Sequence, residues 1–234
     1  MKKLLIVANW KSNKTIAEAH SFFISFLHDD LITSLRSNNE QQKTSKQIIL
    51  CPSFTLLPDM SHMLSQISPS LPIFLGAQDV SPFGQGPHTG EESAEQLSEF
   101  VKYVIIGHSE RREDFRENDK LLAQKVKAAR LCGLEPIFCV QGKESVVPDD
   151  VSIIAYEPVD AISTGVVARS LDPEDAEAVA TYIKSEHGTH YVLYGGSVTE
   201  ENVYSYTSQP SINGVLVGGA SLDPTVFSQI IQLA

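Results

Sequence analysis

Short apolar runs recur from one end of the chain to the other, and each is continuous rather than alternating with polar residues. They are rich in β-branched residues, which is typical of strands buried on both faces of a parallel sheet. The runs are Leu4–Ala8, Ile48–Cys51, Ile73–Ala77, Val104–Ile106, Pro136–Val140, Ile153–Tyr156, Tyr191–Tyr194 and Gly214–Val217. The pattern therefore predicts a buried parallel sheet with one strand at each run.

Between most of these runs, apolar residues return at helical spacing, which predicts helices over residues 15–36, 117–132 and 172–187. The third begins with Asp172-Pro173-Glu174: an N-cap, a proline at the first helical position and an acid in the first turn. Alternation of strand and helix along the whole chain favours an α/β fold, a closed (β/α)8 barrel in a single domain over residues 1–234. An open doubly wound sheet is the alternative.

One interval of the chain departs from this alternation. Residues 141–151 are the whole connection between the fifth and sixth runs, and a crossover between parallel strands normally needs about a dozen residues or more, usually helical. We predict that the helix between strands five and six is shortened or absent. Either residues 142–151 cover the barrel wall as an extended flap, or another subunit covers it. Residues 37–47 are polar and predict a surface loop.

Composition narrows the classes of function. The net charge of -11 argues against nucleic acid or an anionic membrane as a partner. We expect no signal peptide, since the first apolar run is too short, and no membrane span, since no run approaches about 20 apolar residues. The cysteines, Cys51, Cys132 and Cys139, lie in apolar contexts without metal-ligand spacing. They predict reduced core thiols and a cytoplasmic protein.

Reactive and glycine-rich segments follow several of the predicted strands. Barrel enzymes carry their chemistry at the carboxyl ends of the strands, so these segments converge on one rim. They are Asn9-Trp10-Lys11, Gly107-His108-Ser109-Glu110, Glu157, Gly195-Gly196-Ser197 and Gly218-Gly219-Ala220-Ser221. The glycine-rich turns after strands seven and eight predict a phosphate site built from backbone N–H groups. Oriented amides provide positive potential for an anionic substrate without a basic chain.

Seven motifs in order from residue 8 to residue 222 make the chain resemble the triosephosphate isomerase family. They are Ala8-Asn9-Trp10-Lys11, Gly76-Ala77-Gln78-Asp79, Thr89-Gly90-Glu91, Ile105-Ile106-Gly107-His108-Ser109-Glu110-Arg111-Arg112, Ala155-Tyr156-Glu157-Pro158-Val159, Tyr194-Gly195-Gly196-Ser197-Val198 and Leu216-Val217-Gly218-Gly219-Ala220-Ser221-Leu222. The resemblance implies a TIM barrel that interconverts dihydroxyacetone phosphate and D-glyceraldehyde 3-phosphate, in glycolysis and gluconeogenesis. It implies neither a cofactor nor a metal, because proton transfer alone completes the isomerisation.

The resemblance also implies roles for particular residues. Glu157 matches the base of the family, His108 the electrophile, and Asn9 and Lys11 its neighbours. Glu110 matches an acid near the site, and we leave open whether it transfers a proton or pairs with a nearby base. A helical turn predicted just after His108 disfavours a positive charge on the imidazole, so we expect a neutral His108 that donates a hydrogen bond.

Phosphate contacts carry over to Ser197, Gly218, Gly219 and the backbone N–H of Ser163. Ser163 belongs to the segment that closes as a lid in the family. Thr89-Gly90-Glu91 matches the protruding third loop through which family members contact a neighbouring subunit, which predicts a symmetric homodimer.

The lid segment departs from the family pattern. Asp160 replaces an aromatic residue at the first hinge, Ser163 replaces a glycine, and Val166 stands where a lysine is common. We expect altered opening and closing with the chemistry intact. Two other functions remain as alternatives: another barrel enzyme acting on a sugar phosphate, or a non-catalytic barrel retained as a binding protein.

Overall fold

The strands of the protein close into a barrel in which each is parallel to its neighbours. The computed structural model describes residues 2–28, 46–66, 71–158 and 170–234. The strands are β1 Leu4–Asn9, β2 Lys46–Cys51, β3 Ile73–Ala77, β4 Tyr103–Ile106, β5 Glu135–Val140, β6 Ile153–Tyr156, β7 Tyr191–Tyr194 and β8 Gly214–Val217. The barrel closes where Leu5 of β1 pairs with Gly214 of β8. This confirms the predicted (β/α)8 barrel and excludes the open doubly wound sheet.

Helices follow most strands. They are α1 Ile16–His28, α2 Leu57–Ser65, α3 Ala94–Leu97, α4 Ser109–Asp114, α5 Asp119–Leu131, α6 Pro173–His187, α7 Val203–Thr207 and α8 Pro224–Leu233, with 3-10 helices at Phe54–Leu56 and Gly219–Leu222. The predicted start of α6 is confirmed, since Asp172 is its N-cap and accepts the Glu174 N–H at 2.9 Å. The helix predicted over 15–36 corresponds to α1, and residues 29–36 lie outside the described ranges.

Leu122, Val126, Ala129 and Leu131 are among the residues whose spacing predicted the helix over 117–132 as one apolar face, and this is correct for Leu122, Val126 and Ala129, which are buried in α5. It is wrong for Leu131, which is 78% exposed. Two positions after Ala129, Leu131 lies about 200° further around the helix and therefore points to solvent. Lys125 is buried on the apolar face, where it is paired with carboxylates.

Apolar side chains form two layers on either side of the strands. Alternate strand residues point to opposite faces. One cluster, including Leu5, Val7 and Ile105, contains only strand residues and fills the barrel interior. The other combines strand residues such as Ile6 with helix residues such as Phe23, and seals the helices to the outside of the barrel.

The connection between β5 and β6 contains no helix, as predicted. Its first part is a turn in which the Ser145 hydroxyl accepts the N–H groups of Gln141 and Gly142 at 3.1 and 3.3 Å. Val147 and Val151 then pack against the outer apolar layer. The structure thus favours the first of the two alternatives, in which residues 142–151 themselves cover the wall.

Two predictions from the sequence need correction. The surface loop predicted over 37–47 ends earlier, because Lys46 and Gln47 already pair with β1 as the first residues of β2, and residues 37–45 lie outside the described ranges. Cys51 and Cys139 are buried thiols as expected, but Cys132 is only half-buried because it caps the end of α5. No helix in the described parts of the chain is both long and apolar enough to cross a membrane.

Candidate active site

A cavity of about 220 Å³ opens at the carboxyl ends of the strands. Its lining comes from the segments that follow β1, β4, β6, β7 and β8. Seven of the predicted site residues line it: Asn9, Lys11, His108, Glu157, Ser197, Gly218 and Gly219. Glu110 lies beside them and contacts Lys11. The three altered lid positions, Asp160, Ser163 and Val166, lie outside the described residues.

Glu157 is held at the mouth of β6 by contacts on both its backbone and its side chain. Its N–H donates to the Val140 carbonyl at 2.8 Å, which continues the pairing of β5 with β6. The side chain is 2% exposed, and Oε2 accepts the Ser109 N–H at 2.9 Å. Oε1 lies 3.2 Å from Nε2 of His108. A carboxylate thus sits in the cavity with defined partners for both oxygens.

The neighbouring turn leaves room for this carboxylate only because it begins with glycine. A Cβ on Gly195 would lie 3.0 Å from Cγ of Glu157 and 3.2 Å from the Tyr156 carbonyl oxygen. Any side chain at this position would displace Glu157 or the end of β6. The first glycine of the predicted phosphate turn therefore also serves the carboxylate.

His108 lies between β4 and α4, and the structure confirms the predicted helical turn after it. As the N-cap of α4, its Nδ1 accepts the Glu110 N–H at 3.3 Å. An accepting Nδ1 carries no proton, so the proton is on Nε2, which faces Glu157. The Glu110 carboxylate is 3.7 Å from Nδ1, beyond hydrogen-bond distance. The arrangement fits the neutral, donating imidazole expected from the sequence.

Lys11 is presented from a backbone conformation that L-residues rarely adopt, with φ of 52°. Its N–H donates to Oδ1 of Asn9 at 3.1 Å, and its carbonyl accepts from Nε2 of Gln78 at 2.8 Å. The same Gln78 nitrogen donates to the Cys51 carbonyl at 2.9 Å, which ties the turn to the end of β2. These bonds offset the strain of a conformation of this kind, which is of order 1–3 kcal/mol.

The ammonium of Lys11 pairs with Glu110 at 2.5 Å, and this is the ion pair that the sequence left open for Glu110. The Lys11 side chain also passes beside Gly218, where a Cβ would lie 3.7 Å from Cε of Lys11. The positive charge is therefore placed between the glycine-rich turn after β8 and the segment that follows β4.

Beyond β8, Gly218 leads into the 3-10 helix Gly219–Leu222. The N–H and hydroxyl of Ser221 both donate to the Gly218 carbonyl, at 2.9 and 2.7 Å, and close the turn on itself. After β7, a Cβ on Gly196 would lie 2.3 Å from the Tyr194 hydroxyl, so only glycine fits there. Both turns line the cavity.

Three contributors to the site were assigned no role there from the sequence. Cys139 lies beneath Glu157 in the barrel; burial, followed by the charge and hydrogen bond of Glu157, raises its pKa well above the ordinary value. Ser109 lines the cavity, and its buried hydroxyl has no hydrogen-bond partner among the described residues. Gln78 lies in a motif but received no role. Its position directly after β3 was the available signal.

Within the described ranges, no group of three or more His, Cys, Asp or Glu side chains is placed to hold a metal ion. The residues present can accept a proton, donate a hydrogen bond to an oxygen, and bind an anionic group.

Comparisons with known proteins agree with this geometry. The sequence profile described as triosephosphate isomerase matches residues 4–234. A triosephosphate isomerase of Symbiobacterium thermophilum is 36% identical over 100% of this chain and 98% of its own. One of a Synechococcus is 39% identical over 99% and 97%. The crystal structure of triosephosphate isomerase from Bartonella henselae has a TM-score of 0.76 and 29% identity, covering 99% of this chain and 98% of that one.

Proposed function

Because the chain belongs to the triosephosphate isomerase family and is an intramolecular aldose–ketose isomerase, we propose that Glu157 is its proton-transferring base. The substrates are dihydroxyacetone phosphate and D-glyceraldehyde 3-phosphate. The observation that carries the assignment is the approach of Glu157 Oε1 to within 3.2 Å of Nε2 of His108, in a cavity shared with Lys11. Base, hydrogen-bond donor and cation face one small volume.

The isomerisation follows from these groups. Glu157 takes a proton from C1 of dihydroxyacetone phosphate, the C–H electron pair forms the C1=C2 bond, and the carbonyl pair moves to the oxygen on C2. The Nε2–H of His108 donates to this oxygen, and Lys11 stabilises its negative charge. Protonated Glu157 then returns the proton to C2, while the C1 hydroxyl proton passes by way of His108 to the C2 oxygen. The product is the aldehyde.

The phosphate group is proposed to bind the turns after β7 and β8. Ser197, Gly218 and Gly219 line the cavity beside Lys11. The Ser163 N–H is a further proposed ligand. Fixed amides together with one ammonium supply positive potential in a chain whose net charge is -11. The phosphate thereby anchors the reacting carbons near Glu157.

Replacement of the base tests the assignment. Glu157→Gln keeps the size of the side chain but removes the proton acceptor, so kcat should fall by about 10³-fold with a modest change in KM. A coupled assay with D-glyceraldehyde 3-phosphate measures both constants. Glu144→Gln, an exposed glutamate in the segment after β5, is the matched control and should behave as wild type.

Two outcomes would contradict the proposal. If wild type turned over another sugar phosphate but not this one, the chain would be a different barrel enzyme. If wild type and Glu157→Gln were equally slow, the barrel would be a non-catalytic binding protein.

We also propose that the chain forms a symmetric homodimer through the loop around Thr89. Thr89, Gly90 and Glu91 are exposed, and the loop is shaped by a turn in which the Glu91 N–H donates to the His88 carbonyl at 3.0 Å. Phe83 and Phe115, on the segments after β3 and β4, are 50% and 65% exposed. Apolar surface on adjacent sectors of one rim supports an interface there.

Sedimentation at micromolar concentration should give twice the chain mass of 25.6 kDa. Thr89→Arg should shift the species to the monomer without unfolding it, since the side chain is exposed. A wild-type monomer would overturn the proposal.

We also propose that residues 1–234 form one catalytic domain that acts in glycolysis and gluconeogenesis. The proposed location is the cytoplasm. The free thiols of Cys51, Cys132 and Cys139 support a reducing compartment. Cell fractionation that placed the protein outside the cytoplasm would contradict it.

A further inference from the structure

We propose that Lys14 is a positioning residue that fixes the turn carrying Lys11 against the phosphate turn after β8. Lys14 lies three positions after Lys11, between β1 and α1. Its Nζ donates to the carbonyl of Leu222 at 2.7 Å. Leu222 is the last residue of the 3-10 helix that begins at Gly219. The inference rests on the proposed phosphate ligands Gly218 and Gly219 and adds a residue that sets their position.

Two aromatic rings lie beside the Lys14 ammonium that donates to Leu222. The ammonium lies 5.2 Å from the ring centre of Trp10 and 4.9 Å from that of Phe22. Trp10 is fully buried, and its ring meets that of Phe22 edge to face at 4.8 Å. The attraction of the cation to the two rings and its bond to the carbonyl together link the segment after β1 to the segment after β8.

The backbone of Lys14 points to the same role. Its φ is 72°, the second left-handed conformation in this turn after Lys11. Glycine adopts such a φ without steric cost, whereas a lysine accepts strain. The side-chain contacts with Leu222 and the two rings are what the structure offers in compensation.

Two contacts therefore hold the two turns together. On the cavity side, Lys11 passes beside Gly218. On the outer side, the Lys14 ammonium donates to the Leu222 carbonyl. Between these two contacts, the Ser221 hydroxyl donates to the Gly218 carbonyl and closes the turn. The separation between the Lys11 ammonium and the Gly218 and Gly219 amides, which together bind the phosphate, is set by the outer contact.

The groups proposed for proton transfer stand on other strands. Glu157 follows β6 and His108 follows β4, and neither contacts Lys14. Loss of the bond between Lys14 and Leu222 should consequently weaken phosphate binding and leave Glu157 and His108 in place. This separates a positioning role from a general contribution to folding.

The test compares a phosphorylated and an unphosphorylated triose. Lys14→Met keeps an unbranched side chain of similar length but removes the charge and the donor. Its kcat/KM for D-glyceraldehyde 3-phosphate should fall about tenfold, and the inhibition constant of inorganic phosphate should rise by a similar factor. For D-glyceraldehyde, followed by deuterium exchange at C2, kcat/KM should stay within about twofold of wild type. Lys14→Arg, which retains a cation and donors, should recover most of the loss.

Lys46 provides the matched control. Its ammonium also donates to backbone carbonyls, those of Ile231 and Gln232 at 2.7 and 3.0 Å, but at the opposite end of the barrel. Lys46→Met should lose stability without changing the ratio of the two kcat/KM values. If Lys14→Met does not fold, Lys14→Gln, whose amide is too short to reach Leu222, should give the same selective loss.

Two results would overturn the inference: an equal loss for both trioses, or no loss for either. A wild-type protein inactive on D-glyceraldehyde 3-phosphate would instead refute the proposed function.

Discussion

The thiols of Cys51 and Cys139 are enclosed in the barrel interior, and their surroundings favour the protonated form. Burial raises the pKa of both above the ordinary value of 9.0. Around Cys139, the negative charge and hydrogen bond of Glu157 and the nearby Cys51 act in the same direction as burial, and Arg112 opposes them. In the folded protein these thiols therefore keep their protons at a pH where unfolded thiols ionise.

Stability should fall at alkaline pH for this reason. A raised folded-state pKa contributes stability that is present below the unfolded pKa and lost as pH rises above it. With two such thiols, the free energy of unfolding should drop by about 2 kcal/mol between about pH 9 and about pH 10. Urea denaturation at several pH values measures it. The double variant Cys51→Ala, Cys139→Ala should show a flatter dependence, and an unchanged slope would contradict the assignment.

At the scale of elements, a buried ionic cluster locks α4 to β3 and α5. The Lys125 ammonium contacts Asp79 at 2.7 Å and Glu117 at 2.6 Å, and Arg111 of α4 contacts both carboxylates at 2.8 Å. Because α4 begins directly after His108, the cluster also sets the direction of the helix whose N-cap is His108. Asp79, Glu117 and Lys125 are buried, whereas the Arg111 side chain is 29% exposed, and Oε2 of Glu117 has no hydrogen-bond partner among the described residues.

Removal of one cation from the cluster should lower the stability of the folded protein. Lys125→Met leaves Asp79 and Glu117 buried with only Arg111 between them, and unfolding free energy should fall by about 3–5 kcal/mol. Lys127→Met, on the exposed face of the same helix, should change it by less than about 0.5 kcal/mol. Chemical denaturation of both variants measures the difference, and equal effects would show that the cluster is not stabilising.

The strands and the missing helix were predictable because a strand buried on both faces is apolar throughout, and an interval as short as 141–151 cannot hold a full crossover. The rim residues were predictable because parallel strands bring their carboxyl ends together. Contacts such as Lys14 with Leu222 or Gln78 with Lys11 were not, since they join remote positions through a backbone carbonyl, which any residue supplies. The exposure of Leu131 was missed because the helix over 117–132 was predicted from its apolar residues together, without separating Leu131, which lies about 200° around the helix from Ala129.

For the whole molecule, the helix-free connection after β5 makes the β5–β6 pair the most local of the strand pairs in the barrel. Ile137 of β5 pairs with Ile153 of β6, a separation of 153 − 137 = 16 positions. Leu5 pairs with Gly214 across the closure of the barrel, 214 − 5 = 209 positions apart. Bringing the second pair together costs about 2 kcal/mol more in chain entropy than the first.

The β5–β6 pair should thus form early in folding, and closure of the barrel between β8 and β1 should come late. Pulsed hydrogen exchange during refolding can follow two amides that report on these events. The Glu157 N–H, bonded to Val140, should be protected before the Leu5 N–H, bonded to Asn213. Protection of Leu5 first would contradict this order. If the order holds, the most local strand pair in the barrel is also the one that ends in Glu157, and the base of the site reaches its place before the barrel closes.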